Sequence, residues 1–310
     1  MRPAWSVILL TTLIGAGQGL FLALFALEQA NPATAPAAFL TGGAALALAL
    51  LVAGLGASFF HLGHPERAWR SAAMWRTSWL SREVIALPAF MGLVALWGAG
   101  HALGAPAPWL AVAGWAAVFA CVALFVCTAM IYACLPFLQE WHSPLTVANY
   151  VVLGTASGLT LAAACAGAAS LPAARPFALA AFVATVLGLA TRGASLARNA
   201  QLKPKSSLQS AIGVYHPRIA QKAQGAIAGS FNTREFFHGR APGFLRGVKW
   251  WFLALAFVLP LSLLATGVLS GHAVAYHAAF LVQFAGLLAE RWFFFAQANH
   301  PQNLYYQAVS

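Results

Sequence analysis

Eight apolar stretches of about 20 residues each dominate this chain, over 5–27, 38–60, 84–103, 109–131, 146–169, 176–197, 250–270 and 273–295. A helix of about 20 residues is about 30 Å long, which matches the hydrocarbon core of a bilayer. Backbone groups in lipid must be satisfied within the segment, so these stretches are read as helices. A barrel would show short alternating segments, and the sequence has none. The first stretch exceeds a signal-peptide core and no cleavage site follows it, so it reads as a retained helix. The expected fold class is all-α integral membrane: an eight-helix bundle forming a single polytopic domain over 1–310.

Composition supports lipid as the solvent. Hydrophobic residues make up 61% of the chain and Asp, Glu, Lys and Arg only 7%, against about 25% charged residues in soluble domains. The net charge of +11 could suggest nucleic acid, but its distribution argues otherwise. Eight spans divide the connections into two sets. Only Arg175 falls in the set formed by 28–37, 104–108, 170–175 and 271–272. All other Lys and Arg fall in the opposite set, counting Arg192 and Arg291 as helix-end residues. By the positive-inside rule both termini are expected in the cytoplasm, together with loops 61–82, 137–145 and 198–249. The charge is topology, and no nucleic-acid partner is expected.

The chemistry-bearing residues are few. Cys121, Cys127, Cys134 and Cys165 form no CxxC pair and read as small buried hydrophobes; a cluster-binding site would need grouped thiolates. No facing histidine pair lies deep in two spans, so haem is not expected, and no closed ligand set suggests zinc. Gly15, Gly17 and Gly19 form GxGxG inside the first apolar stretch, which reads as close helix packing rather than a nucleotide fingerprint.

Among the six acids, Glu83 and Glu290 stand out. Two readings exist for Glu83: part of a helix cap following Ser81 and Arg82, or a group for binding or proton transfer. Glu290 beside Arg291 reads as an end-of-helix pair. His61, with His64 and the helix-stopping Pro65 close behind, ends the second apolar stretch. It could be held by nearby backbone, or could hydrogen-bond a quinone carbonyl at the membrane interface. Loop 61–82 is dense in Trp and Arg, which suits the headgroup zone. Loop 198–249 keeps Phe231, Phe236, Phe237 and Phe244 among its basic residues, so partial order is expected there.

The segment SFFHLGHPERAWRSAAMWRTSWLSRE, Ser58–Glu83, resembles the anchor-subunit family of dimethyl sulfoxide reductase, whose motif is similar to HLGxPxRA followed by SxE. Three further segments resemble one branch of it, the membrane subunits of cytoplasmic quinone-linked sulfite dehydrogenases: CTAMIYACLPFLQEWHSPLT, SFNTREFFHG and ERWFFFAQANHPQNLYY. The resemblance implies an eight-helix anchor in the bacterial inner membrane. It would serve a three-part enzyme whose molybdopterin and iron–sulfur clusters reside in two cytoplasmic partner subunits. It implies no haem in the anchor, and a quinone, ubiquinone or menaquinone, as the electron acceptor. Carried over by residue, His61 matches the quinone-linked histidine, Glu83 the acid of SxE and Arg67 the arginine of HLGxPxRA. Arg76, Trp79, Ser81 and Arg82 match only the branch pattern. His64 departs from the family pattern. Electron flow in reverse, from quinol to a sulfoxide, is the first alternative. A membrane transporter is the second, although no inverted repeat is visible.

Overall fold

The computed structural model describes residues 1–220, 222, 236 and 238–305. Its first six spans are α1 (Trp5–Ala30), α2 (Ala37–Ser58), α3 (Trp79–Ala102), α4 (Ala107–Ala133), α5 (Pro144–Ala168) and α6 (Ala174–Ala200). A short helix, α7 (Leu208–Ile212), follows. The seventh span joins α8 (Pro242–Leu253), a π turn (Ala254–Val258) and α9 (Leu259–Ser270), and the eighth is α10 (Ala273–Gln297). All eight are long and apolar enough to cross a membrane. No strand occurs among the described residues.

Local chemistry sets several helix ends. Ser78 and Ser143 cap α3 and α5, their hydroxyls accepting from the backbone N–H of Ser81 and Leu145. Pro144 and Pro242 occupy first-turn positions, where a missing N–H costs nothing. The seventh span stops at Gly271, whose φ of 74° suits a residue without Cβ.

The helix starts differ from the hydropathy limits. The third span begins at Trp79, not 84, so Trp79, Ser81 and Arg82 are helical rather than part of a 61–82 loop. Within that segment Phe59–His61 and Pro65–Ala72 wind into 3₁₀ turns. The seventh span begins at Pro242, and α6 continues to Ala200, which trims the 198–249 loop to 201–241. The third loop begins just after Ala133 and ends at the Ser143 cap, rather than spanning 137–145. At Trp79 and Ala200 the terminal helical turn carries Trp or Arg, and Arg246 and Lys249 follow soon after Pro242, which lowers hydropathy without breaking the helix. Phe231, Phe237 and most of the SFNTREFFHG segment lie outside the described residues.

Helices α1 and α5 are the most enclosed spans. Their backbones touch: a Cβ on Gly19 would lie 2.9 Å from the Thr155 Cα and 3.0 Å from the Gly158 Cα, and closer still to the Gly154 carbonyl oxygen. Gly15 faces the Cα of Gly154, and Gly17 faces the carbonyl of Ala47 on α2. The GxGxG pattern is thus a packing seam. The π turn of the seventh span meets another such residue, Gly286 on α10, where a Cβ would overlap the Ala256 backbone. Large apolar side chains such as Phe119, Leu96 and Leu281 point outward, as expected of a lipid-facing surface.

The connections 62–78 and 134–143, the described parts of 201–241, Met1 and residues 298–305 gather at one end of the bundle. Arg198 donates to the carbonyls of Gln139 and His142, and Asn199 to that of Glu140. The Met1 amine donates to the Ala298 carbonyl at 2.6 Å.

Candidate functional site

Glu83 lies four residues inside α3 and Thr128 five residues before the end of α4. Tyr150 is six residues into α5, and Arg291 is six residues before the end of α10. At about 1.5 Å per residue, all four sit roughly 6–9 Å below the loop-bearing end. The bundle therefore brings them to one level. Glu83 is 7% exposed, and its Oε1 accepts a 2.5 Å hydrogen bond from the Thr128 hydroxyl. Because Ser78 caps the helix, Glu83 is no cap; its side chain points inward.

Behind Glu83 is a cavity of about 20 Å³. That volume suits a water molecule, which needs roughly 10–15 Å³. Its wall is mostly apolar, but Thr11, Thr12 and Gln18 from α1 reach it, as do Glu83, Tyr150 and Arg291.

The Glu290–Arg291 pair is not at a helix end. Both residues are buried, and Arg192 of α6 joins them, its Nε 2.7 Å from Glu290 Oε1. Arg291 lies 3.8 Å over the Tyr150 ring. Neither arginine belongs with the loop charges, because each is enclosed by helices several residues inside its span.

Above this level, Arg82 braces the turn that leads into α3. Its Nε and Nη2 donate to the carbonyls of Trp75 and Arg76, and its guanidinium stacks 4.2 Å over Trp79. Arg76 in turn packs over Trp75. Arg67 pairs loosely with Glu66 at 3.6 Å, while His64 reaches the same carboxylate at 3.0 Å. Ser81 is buried and contributes only backbone to the cap. His61 ends its 3₁₀ turn exposed, beside the exposed rings of Phe59 and Phe60. The structure thus joins Trp79, Arg82 and Arg76 in one brace, sets Glu83 beneath it, and leaves His61 and Arg67 on the open surface.

On the same end, a groove of about 370 Å³ runs between Phe137, Glu140, Lys203, Lys205 and His300. The Phe236 ring stacks on His300 at 3.8 Å. Burial, and then the charge of the nearby amino terminus, hold His300 and His238 below the ordinary imidazole range.

Several pairings escape sequence reasoning. Thr128 resembles any threonine in an apolar helix, and the partners Arg192 and Glu290 are far apart in sequence. Glu28, at the opposite end, pairs with His101 at 3.0 Å and accepts from Trp97 Nε1. Nothing in the pattern links residues so distant, although a lone acid closing an apolar stretch is a faint signal.

The model for the DMSO reductase anchor subunit matches residues 1–296 of this chain. The chain belongs to that anchor-subunit family. A relative of the anchor, a subunit of the sulfite dehydrogenase of Allochromatium vinosum, is 54% identical over the full length of both chains. The anchor is accordingly a multi-pass membrane subunit of an oxidoreductase complex, and the transporter reading is set aside.

Proposed function

We propose that this anchor carries the quinone-reactive site of a three-subunit molybdenum enzyme that passes electrons from sulfite to the quinone pool. The observation that carries the reading is Glu83: a carboxyl buried in the bundle, held by Thr128, directly beneath the loop-bearing end. An ionisable group kept at membrane depth is expensive and marks a functional site. The 54% identity to a sulfite dehydrogenase subunit favours sulfite as the electron source. The family's description as a DMSO reductase anchor keeps the reverse direction as the competing reading.

The loop-bearing end faces the cytoplasm of a bacterium in this reading. Among the described residues, it carries every Lys and Arg except Arg175 and the buried Arg192 and Arg291. The basic 201–241 connection then docks the ferredoxin-like iron–sulfur subunit, which in turn holds the molybdopterin subunit.

The residues fit a quinone ring approaching from the lipid side. His61, Phe59 and Phe60 are exposed there, whereas the internal cavity admits water but no ring. A bound quinone supplies a two-electron, two-proton acceptor. His61 hydrogen-bonds one of its carbonyl oxygens. Glu83 holds and releases a proton at its carboxylate, with Thr128 orienting Oε1. Arg82 keeps the approach turn in place through Trp75, Arg76 and Trp79, and Arg67 contributes positive charge on the rim.

In the purified complex, His61→Ala and Glu83→Gln should each lower sulfite-to-quinone turnover by about a hundredfold. Sulfite oxidation with an artificial soluble acceptor should persist. Normal quinone turnover in both variants, with assembly intact, overturns the reading. Sulfoxide reduction with quinol, in place of sulfite oxidation, would instead support the reverse direction.

A further inference from the structure

Arg192, Glu290 and Arg291 form a buried trio, exposed by only 1%, 0% and 5%. Glu290 Oε1 is 2.7 Å from Arg192 Nε, and Oε2 is 3.5 Å from Arg291 Nη1. Guanidinium groups do not deprotonate in proteins, so two arginines and one carboxylate leave a net charge of +1. An uncompensated charge inside a span is costly. Aromatic faces soften it, with Tyr150 under Arg291 and Phe252 5.5 Å from Arg192, but they carry no countercharge. Arg291 Nη1, like Arg192 Nε and both Glu290 oxygens, is buried without a well-formed hydrogen bond, so the trio does not satisfy itself. Arg291 also lines the cavity that Glu83 lines from the other side. Among the described residues, Glu83 is the one further carboxylate at this level of the bundle.

We propose that Arg192, Glu290, Arg291 and Glu83 act as one charge-neutral buried network, closed by water held in the cavity between Arg291 and Glu83. Arg291 is then a positioning residue: it fixes the charge state in which Glu83 waits. This deepens the reading of Glu83 given above and rests on it for the catalytic consequence, though not for the network itself. The other titratable groups that feel Glu83 are Cys127 and Tyr132 on α4 and Tyr150 on α5. Arg82, the nearest cation on its own helix, is engaged with the carbonyls of Trp75 and Arg76. Arg291 is therefore the cation that faces the cavity. When Glu83 takes up a proton, the network becomes +1, which favours passing that proton onward.

The test uses the intact complex with Glu83→Gln, Arg291→Gln, Arg291→Lys and the double variant Glu83→Gln with Arg291→Gln. Each single charge deletion unbalances the network, and the double restores neutrality. Chemical unfolding should show the double variant at least as stable as either single. Strictly additive losses would overturn the network. In quinone-dependent turnover, Arg291→Gln should move the pH–rate profile toward alkaline pH by about one unit, because a carboxyl without a nearby cation keeps its proton longer. Arg291→Lys should leave the profile in place. An unmoved profile in Arg291→Gln would overturn the positioning role. The stability cycle needs no quinone, so full turnover in Glu83→Gln would sink the quinone reading while the cycle still judges the network.

Discussion

Substituting Gly19 by alanine tests the packing seam that holds the two most enclosed helices together. The added Cβ would fall 2.9 Å from the Thr155 Cα and 3.0 Å from the Gly158 Cα, and would overlap the Gly154 carbonyl oxygen. Nonbonded carbons rest at about 3.5–4.0 Å, so α1 must retreat from α5 by at least roughly 0.6 Å, and further to clear the oxygen. All three obstructing atoms are backbone and cannot rotate aside. Overpacking costs about 1–3 kcal/mol in ordinary cores, and this geometry places the cost at the upper limit or beyond. About 3 kcal/mol shifts the folded-to-unfolded ratio by roughly a hundredfold. The assay is denaturant-driven unfolding of the purified complex. The control is Gly56→Ala on α2, where nothing lies within 4 Å of the new Cβ. That change should fall within about 1 kcal/mol of the parent. Equal stability of the Gly19 and Gly56 variants would refute the claim that α1 and α5 meet backbone to backbone.

Other outcomes follow from single contacts. Thr128→Val removes the hydrogen bond to the Glu83 carboxylate and should cost about 1.5–3 kcal/mol in the same unfolding assay. Arg82→Ala releases the carbonyls of Trp75 and Arg76 and should make residues 64–78 markedly more sensitive to limited proteolysis, with little loss of global stability. Arg192→Leu removes the nearer partner of the buried Glu290 carboxylate, leaving it Arg291 at 3.5 Å, and should cost about 3 kcal/mol, whereas adding Glu290→Leu should recover part of that loss. Glu28→Gln breaks the pairing with His101 at the far end. It should lower stability without changing quinone turnover, and a large turnover loss would show that the far end takes part in the reaction.

Hydropathy locates all eight spans because bilayer thickness imposes a length that apolar runs alone reveal. It misplaces the helix starts at Trp79 and Pro242, where side chains such as Trp79, Arg82 and Lys249 are amphipathic while the backbone is already helical. Glu83 is legible as a costly ionisable residue, but the capping alternative fails because Ser78, one residue before the helix, already serves that end. The trio around Glu290 is not legible. Arg192 and Arg291 look like interface charges because both stand near the ends of long apolar stretches. Only the packing of α6 against the seventh and eighth spans turns them inward. Thr128 gives no signal, since a hydroxyl in a helix ordinarily bonds to its own preceding turn.

The π turn at Ala254–Val258 has a further consequence. A wide turn accommodates one residue more than α-geometry requires, so the two halves of the seventh span are rotated relative to each other by about 100°. That offset lets the first half present Phe252 to Arg192 while the second half sets Gly267 against Tyr276. Loss of one codon within 254–258 would draw the turn back to regular pitch and force one half to expose the wrong face. At the seventh span, then, chain length as much as side-chain identity decides whether a buried arginine keeps its aromatic neighbour.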